Sequence, residues 1–336
     1  MKGMKEYFRE YYGLTPQQLK GFFDSCLFVF DTNALLDLYR LDISDAKEVI
    51  SVIKHYEDRV IIPYHVAEEY HTELLNVISK SIQNSDETLK YDYDTAITNF
   101  LTNISKFRDL PFALQEKYNR KLEDVIAELK TDVAGRKENL KKCMEGWDLQ
   151  CQVADLLGKL LQHPLSLDRI NEIVTVDGPK RYAASIPPGY KDMKKTNGNE
   201  YGDLIIWQEI LDCAKDKKKS IAFISRDLKE DWIEKRNGIN CGPRRELRKE
   251  FYEAYKEGEF YIYTLTQFLQ YAKDATIIDE ERALSLITNV EQLKDNDEKY
   301  EKNQNKYEDE FVTSEEKYVD EVVSDDYRLS EEKLVM

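Results

Sequence analysis

Short apolar runs that end beside an acidic residue recur along the chain. Residues 26–30 directly precede Asp31, residues 220–224 are separated from Asp227 by two residues, and residues 59–62 lead into a helical pattern. Runs this short and this rich in aromatic and β-branched residues are typical of parallel strands covered on both faces. Ligands bind beyond the carboxyl ends of such strands, so the pattern predicts that acids gather at that edge of a sheet.

Helical spacing follows the runs at 26–30 and 59–62, and predicted helices add further acids. The helix after residue 63 carries Glu68 and Glu69, which are about 100° apart around the helix axis. Glu69 lies nearer the apolar side formed by Val66 and Tyr70, so Glu69 is the candidate and Glu68 the alternative. Asp203 opens a later apolar helix, and its position in the first turn predicts a side chain at the edge of the sheet.

Strands that alternate with helices predict an α/β fold, with a parallel central sheet flanked by helices. We expect four parts: a helical lead-in, an α/β domain in two segments, a long helical insertion, and an acidic, partly disordered C-terminal tail. The insertion is assigned because about 80 residues at helical spacing do not form a structureless loop in a compact domain. The parts cover residues 1–25, 26–78 with 166–272, 79–165 and 273–336. Within them, residues 5–19 are expected to form one amphipathic helix, and residues 186–200 and 237–243 are expected to be turn-rich loops, the first of which borders the site before Asp203.

The net charge of −16 is concentrated at the carboxyl terminus. Between Glu291 and Met336 there are 16 acids and 7 bases, which leaves a mildly acidic body. Few apolar residues accompany this charge, so the segment is expected to extend from the fold. Because basic residues cluster in the body, a nucleic-acid partner is compatible with the composition.

The five cysteines show no paired spacing of the kind that zinc sites use, which indicates free thiols in a reducing compartment. The amino terminus lacks the pattern of a signal peptide. No apolar run approaches the roughly 18 residues that span a bilayer. We therefore expect a cytoplasmic protein without a membrane partner.

Together, the acid positions resemble those of the PIN-domain nucleases, and especially of their larger bacterial PIN-like relatives. An acid after the first strand, followed by a hydroxyl residue and Asn, is matched by Asp31, Thr32 and Asn33. The later acids of the pattern are matched by Glu69, Asp203 and Asp227. The PIN-like subfamily is also similar in the stretches 187–190, 201–203, 229–232 and 242–245. Arg226 departs from the pattern, because many relatives have an acid or a small polar residue there.

The resemblance implies a metal-dependent endoribonuclease, acting in phage defence or growth control. Mg²⁺ and Mn²⁺ prefer oxygen ligands, and crowded carboxylates supply them in phosphodiester cleavage. The resemblance therefore assigns the metal and the catalysis to Asp31, Glu69, Asp203 and Asp227. Contacts with nucleic acid, RNA more than DNA, are expected from Asn33, Lys191, Lys195 and Arg245. The insertion is a candidate surface for a second copy of the chain or a regulatory protein.

Three alternatives remain open at this stage. The acids could be helix caps in a non-catalytic PIN-like scaffold whose insertion binds a partner. A flap-type DNA nuclease would share the same resemblance and the same acids. A haloacid-dehalogenase-like phosphatase is remote, because its pattern needs a second Asp where Asn33 stands. No phosphate-cradling GxxxxGK motif occurs in the sequence, which disfavours an NTPase.

Overall fold

The computed structural model describes residues 3–104, 111–144, 149–194, 199–226 and 229–293. The chain divides into two units, Met1–Ile287 and Thr288–Met336. The strands and numbered helices below belong to the first unit. In the second unit, residues 288–293 are helical, and residues 294–336 lie outside the described residues. The first part of the predicted acidic tail, residues 273–287, belongs to the first unit, where Ile278, Ala283 and Leu286 are buried.

The first unit is built on a parallel sheet of four strands in the order β2–β1–β3–β6, as the apolar runs predict. Every residue of β1 and of β3 is buried, because helices cover both faces of the sheet. Two further strands, β4 and β5, pair antiparallel in a separate hairpin. The strands are β1 (Leu27–Phe30), β2 (Val60–Ile61), β3 (Ile221–Ile224), β4 (Ile233–Arg236), β5 (Ile239–Pro243) and β6 (Phe260–Tyr263).

The helices surround the sheet and form the long insertion. Residues 173–177 form a π-helical turn between α9 and α10. The helices are α1 (Met4–Tyr7), α2 (Pro16–Ser25), α3 (Thr32–Leu36), α4 (Ile43–His55), α5 (Tyr64–Lys90), α6 (Tyr93–Ile104), α7 (Phe112–Met144), α8 (Leu149–Leu160), α9 (Leu167–Glu172), α10 (Gly178–Ala183), α11 (Gly202–Lys217), α12 (Arg245–Ala254) and α13 (Leu265–Asp274).

Aromatic side chains fill the core on both sides of the sheet. On one side, Phe268 of α13 packs edge-on against Phe28 and Phe30 of β1. Trp207 of α11 packs edge-on against Phe260 of β6, and all five rings are fully buried. Large buried rings contribute strongly to the hydrophobic free energy of folding. They therefore fix α13 against β1, and they fix α11, which carries Asp203, against β6.

The insertion is helical, but α5 does not end where we expected the insertion to begin. This helix runs continuously to Lys90, and its apolar face stays buried at Leu74 and Ile78. After α8 the chain returns to the sheet, where the Ile62 N–H donates to the Leu160 carbonyl over 2.9 Å. The insertion is therefore joined to the edge strand β2 at its end as well as through α5.

Two stretches differ from the expectations drawn from sequence. The lead-in, expected to be one helix over residues 5–19, is divided, because Thr15 and Pro16 start a new helix with a capping box. Residues 237–243, expected to be a loop, form the turn and second strand of the β4–β5 hairpin. Asn237 and Gly238 have positive φ angles of 51° and 78°, which a tight hairpin turn needs.

Within the described part of the chain, every helix is too short or too polar to cross a membrane.

Candidate active site

A cavity of about 450 Å³ opens beyond the carboxyl ends of β1 and β3. Its lining combines five carboxylates with polar side chains and few apolar ones. The described residues that line it are Asp31, Thr32, Asn33, Leu36, His65, Glu68, Glu69, Thr72, Glu73, Asn199, Asp203, Phe223, Ser225, Lys229 and Trp232. Asp31, Glu69 and Asp203, predicted from three separate parts of the sequence, thus face one cavity.

Asp31 follows β1 directly and accepts two hydrogen bonds. One carboxylate oxygen accepts the Thr32 N–H over 2.9 Å, which caps α3, and the other accepts the Ser225 hydroxyl over 2.7 Å. Burial raises the pKa of Asp31 to about 7; the Ser225 hydrogen bond lowers it, and the Asp203 and Glu69 carboxylates raise it. Asp31 therefore caps α3, and the neighbouring carboxylates of the cavity disfavour its ionised form.

Glu69 is held by two donors from other elements. The Thr32 hydroxyl donates to one carboxylate oxygen over 2.6 Å, and the Asn199 side-chain amide donates to the other. Glu68 differs, because its side chain is 54% exposed and meets only the His65 ring, at 3.3 Å, among the described residues. Of the two acids, Glu69 is the one that has a fixed orientation in the cavity.

Gly202 allows the contact between Asn199 and Glu69. A β-carbon at position 202 would lie 2.5 Å from the Asn199 amide oxygen and 2.8 Å from a Glu69 oxygen. Real β-carbons do not approach other atoms this closely, so any larger residue would displace the pair. Gly202 also opens α11, which places Asp203 in the first turn of that helix.

Asp203 accepts the indole N–H of Trp232 over 3.1 Å. Burial raises the pKa of Asp203 to about 6; the Lys229 ammonium lowers it, and Asp192 raises it. Trp232 is itself buried against Trp207 and Phe223. The orientation of this carboxylate therefore depends on the aromatic core behind it.

A buried acid on α11 also fixes the start of the glutamate helix. Glu209 is 4% exposed and accepts the N–H of His65, in the first turn of α5, over 3.1 Å. Because Pro63 offers no side-chain cap to α5, Glu209 takes that role from the neighbouring helix. Burial raises the pKa of Glu209 to about 7, and the hydrogen bond from His65 lowers it. Glu209 thereby joins the helix of Glu69 to the helix of Asp203.

The residues expected to contact nucleic acid are not all in this cavity. Asn33 lines it, whereas Lys191 forms an ion pair of 2.5 Å with Glu230 and Arg245 lines a separate cavity. The fourth predicted acid, Asp227, and the predicted contact Lys195 lie outside the described residues.

Arg226, the departure from the family pattern, has a structural partner. Its guanidinium donates to a carboxylate oxygen of Asp37 over 2.7 Å, and Arg40 donates to the same oxygen over 2.9 Å. Asp37 is 2% exposed, so its charge is neutralised within the fold. Arg226 therefore ties the loop after β3 to the turn after α3.

Sequence reasoning did not find several residues of the cavity. His65, Asn199 and Ser225 carry no recognisable motif, and Trp232 lies in the family-like stretch 229–232 but was given no role. Asn199, Ser225 and Trp232 each donate a hydrogen bond to a distant acid. The one signal for Asn199 was its place in the polar loop before Asp203, which we expected to border the site. Ser225 was recoverable from its position directly after β3, because parallel strand ends are neighbours.

The donor atoms of the cavity fit a hard divalent cation, because Asp31, Glu69 and Asp203 offer carboxylate oxygens only. Burial, and after it neighbouring carboxylates, raise the pKa values of Asp31 and Asp203, and a bound cation would favour the ionised form of both acids. Within the described ranges, however, no three or more His, Cys, Asp or Glu side chains form a group arranged to hold a metal ion. A complete ligand shell would thus need a rearrangement or the undescribed Asp227.

Comparison with known families identifies the fold. The sequence model of the PIN-like domain matches residues 27–247, which is more than half of the chain. Neither a curated protein nor a solved structure matches the chain. PIN-like domains are generally nucleases that bind nucleic acid and use divalent metals. The parallel sheet, the acids beyond its strand ends and the family match agree, and the chain belongs to the PIN-like domain family.

Proposed function

We propose that this protein is a metal-dependent endoribonuclease whose site is formed by Asp31, Glu69, Asp203 and Asp227. The observation that carries the proposal is the shared cavity of Asp31, Glu69 and Asp203 at the carboxyl ends of β1 and β3. Membership of the PIN-like family supports nuclease chemistry in general. RNA as the substrate, and a role in phage defence or growth control, rest on the family resemblance.

The charge of the cavity supports a role for metal ions. Among its described lining residues, five carboxylates face one lysine, Lys229. A phosphodiester is an anion, so the cavity would repel it unless cations were bound. Bound Mg²⁺ or Mn²⁺ would supply Lewis-acid stabilisation of the charge that develops on the phosphate oxygens.

The residues of the chain have distinct parts in this proposal. Asp31, Asp203 and Asp227 would ligate the metal, and Glu69 would hold a metal ion or its water. Thr32 and Asn199 keep the Glu69 carboxylate oriented, and Trp232 does the same for Asp203. Such outer contacts commonly matter for metal affinity, because they fix a ligand before the metal arrives.

A panel of labelled substrates tests the proposal. The full-length protein is incubated with single-stranded RNA, single-stranded DNA and branched DNA, each with Mn²⁺, Mg²⁺ or EDTA. We expect cleavage of RNA with either metal, weaker cleavage of DNA, and none with EDTA. Preferential cutting of branched DNA would replace the ribonuclease by a flap-type nuclease. No cleavage of any polymer would favour the non-catalytic scaffold.

A further inference from the structure

The amino-terminal segment, residues 4–12, is fixed to the body of the protein by two arginines. Arg9 forms an ion pair of 2.6 Å with Glu259 and donates to the Gly258 carbonyl over 2.9 Å. From the body, the guanidinium of Arg248 donates to the Glu10 and Tyr12 carbonyls over 2.8 and 2.9 Å. Arg248 is 7% exposed, so these are buried, charge-assisted contacts. The segment therefore has a defined position.

The same segment turns its rings towards solvent. The exposed fractions are 66% for Tyr7, 52% for Phe8 and 57% for Tyr11. Phe8 and Tyr11 lie edge to face, with ring centroids 6.2 Å apart. Exposure of large rings is unfavourable in water, so a segment that is anchored by buried arginines yet presents its rings outward indicates a surface for a partner.

Basic side chains adjoin these rings in a second cavity, of about 270 Å³, which we call the basic groove. It is lined by Glu10, Tyr11, Glu234, Arg236, Arg244, Arg245, Glu246 and Lys249. The Arg245 guanidinium lies 4.5 Å from the centroid of the Tyr11 ring. Four cations against three acids give a net positive groove on a chain whose overall charge is −16.

Glu234 orients two of these cations. It is 7% exposed, and its two carboxylate oxygens pair with Arg236 at 2.8 Å and with Arg245 at 3.1 Å. The Arg245 Nε atom makes this contact, and a guanidinium carries further N–H donors that can bind an anion in a bidentate way. Planar guanidinium groups next to an exposed tyrosine suit a ligand that alternates anionic groups with flat rings.

A single-stranded nucleic acid has that alternation, because its bases stack on aromatic rings while basic side chains bind its phosphates. A duplex would keep its bases inside the helix. The groove also continues from the candidate active site. Trp232 lines the active-site cavity, Glu234 lines the groove two residues later, and the Arg244 N–H donates to the Trp232 carbonyl over 2.9 Å.

We infer that the basic groove and residues 4–12 form a binding track for single-stranded nucleic acid, in which Tyr11 stacks on a base and Arg245 binds a phosphate. This inference rests on the proposed nuclease function and extends it. The substrate strand leaves the active-site cavity along the β4–β5 hairpin and lies across the groove. Efficient binding therefore requires an unpaired strand several nucleotides longer than the cleavage site.

Equilibrium binding without cleavage tests the track. Fluorescence anisotropy is measured with the full-length protein and a labelled RNA of about 12 nucleotides, single-stranded or as a duplex. EDTA prevents cleavage and removes any metal ion from the acidic cavity, so the basic groove and residues 4–12 are the part of the track that attracts the strand. We expect Tyr11→Ala to weaken binding of the single strand about tenfold and Tyr11→Phe to bind as the wild type does. Arg245→Ala should weaken binding and also reduce the slope of log K against log salt by about 0.7, because one phosphate contact is lost.

Matched controls come from the insertion. Tyr118 is 51% exposed with Lys117 5.9 Å from its ring, and Arg120 pairs with Glu116 at 2.7 Å on the same helix. Tyr118→Ala and Arg120→Ala should bind RNA as the wild type does. Equal affinities of Tyr11→Ala and Tyr118→Ala would overturn the inference, and so would tighter binding of the duplex.

The two proposals fail separately. If the variants show the expected binding pattern in EDTA but the wild type cuts nothing with Mn²⁺, the nuclease proposal falls and the binding track stands. If the wild type cuts RNA while Tyr11→Ala binds it normally, the track falls and the nuclease proposal stands.

Discussion

The Thr32 hydroxyl donates a hydrogen bond of 2.6 Å to the Glu69 carboxylate, which joins the start of α3 to α5 beside the candidate active site. Thr32 is only 5% exposed, and its neighbour Asp31 faces the same cavity. Two of the proposed catalytic acids are therefore linked through adjacent residues. In this arrangement the hydroxyl orients Glu69, and the backbone N–H of the same residue donates to the Asp31 carboxylate, which caps α3.

The first prediction concerns this hydroxyl. Thr32→Val keeps the shape of the side chain but removes the donor, so Glu69 is oriented by Asn199 alone. We expect cleavage to fall about 10- to 100-fold, as for other contacts that position a metal ligand, with little change in melting temperature. Thr32→Ser should keep most of the activity. Thr72 lines the same cavity but donates to a backbone carbonyl, so Thr72→Val is the matched control. Equal activities of Thr32→Val and Thr72→Val would contradict the role of Thr32.

The second prediction concerns the pH dependence of stability. The pKa of Glu209 is raised from 4.5 to about 7 by burial, so the folded protein holds this proton more tightly than the unfolded chain. The contribution of Glu209 to stability is therefore largest below about pH 4.5 and declines as the pH rises to about 7. Since Gln does not titrate, Glu209→Gln removes this decline.

Chemical denaturation at several pH values measures the effect. The free energy of unfolding of Glu209→Gln, relative to that of the wild type, should rise by roughly 1–3 kcal/mol between the two pH limits. Glu87→Gln, an exposed position on α5, should show no such rise. Parallel pH profiles for Glu209→Gln and the wild type would show that Glu209 is not a buried titrating acid.

The third prediction concerns the ion pair between Arg226 and Asp37. Asp37→Ala leaves the Arg226 and Arg40 guanidinium groups without the buried carboxylate that they share. We expect a loss of about 3–5 kcal/mol in the free energy of unfolding, because one charge of a buried pair is removed. Asp216→Ala, at an exposed position of α11, is the control and should cost under about 1 kcal/mol. A comparable loss for both variants would remove the structural role that we assign to Arg226.

Much of the fold was predictable, because its strands differ clearly from their surroundings. The apolar runs before Asp31 and Asp227 predicted parallel strands, and the sheet order confirms them. The hairpin at residues 233–243 was not predicted, because its second strand is exposed and lacks alternating apolar positions. The division of the lead-in was signalled by Pro16, but the helical spacing of its aromatic residues outweighed that signal.

The candidate site was predictable in three of its acids and in Asn33, which line the cavity. Asp31 follows the end of a strand and Asp203 lies in the first turn of a helix. Both of these features are visible in the local sequence. Asn199 holds Glu69 across 130 residues of sequence, and nothing local to either residue indicates the pair. Lys191 was expected to bind a phosphate, but it forms an ion pair with Glu230, an acid in another loop. Partners that are distant in sequence are set by packing, which a single sequence does not display.

The most direct test of the proposed metal-dependent nuclease is the rate of RNA cleavage by Asp203→Asn under single-turnover conditions with Mn²⁺. The change keeps the shape of the side chain, and an amide oxygen still accepts the Trp232 N–H, but the ligand charge is lost. The proposed role of Asp203 as a metal ligand predicts that cleavage falls to the level seen with EDTA, while the melting temperature without metal stays at or above that of the wild type. Cleavage at the wild-type rate would contradict it.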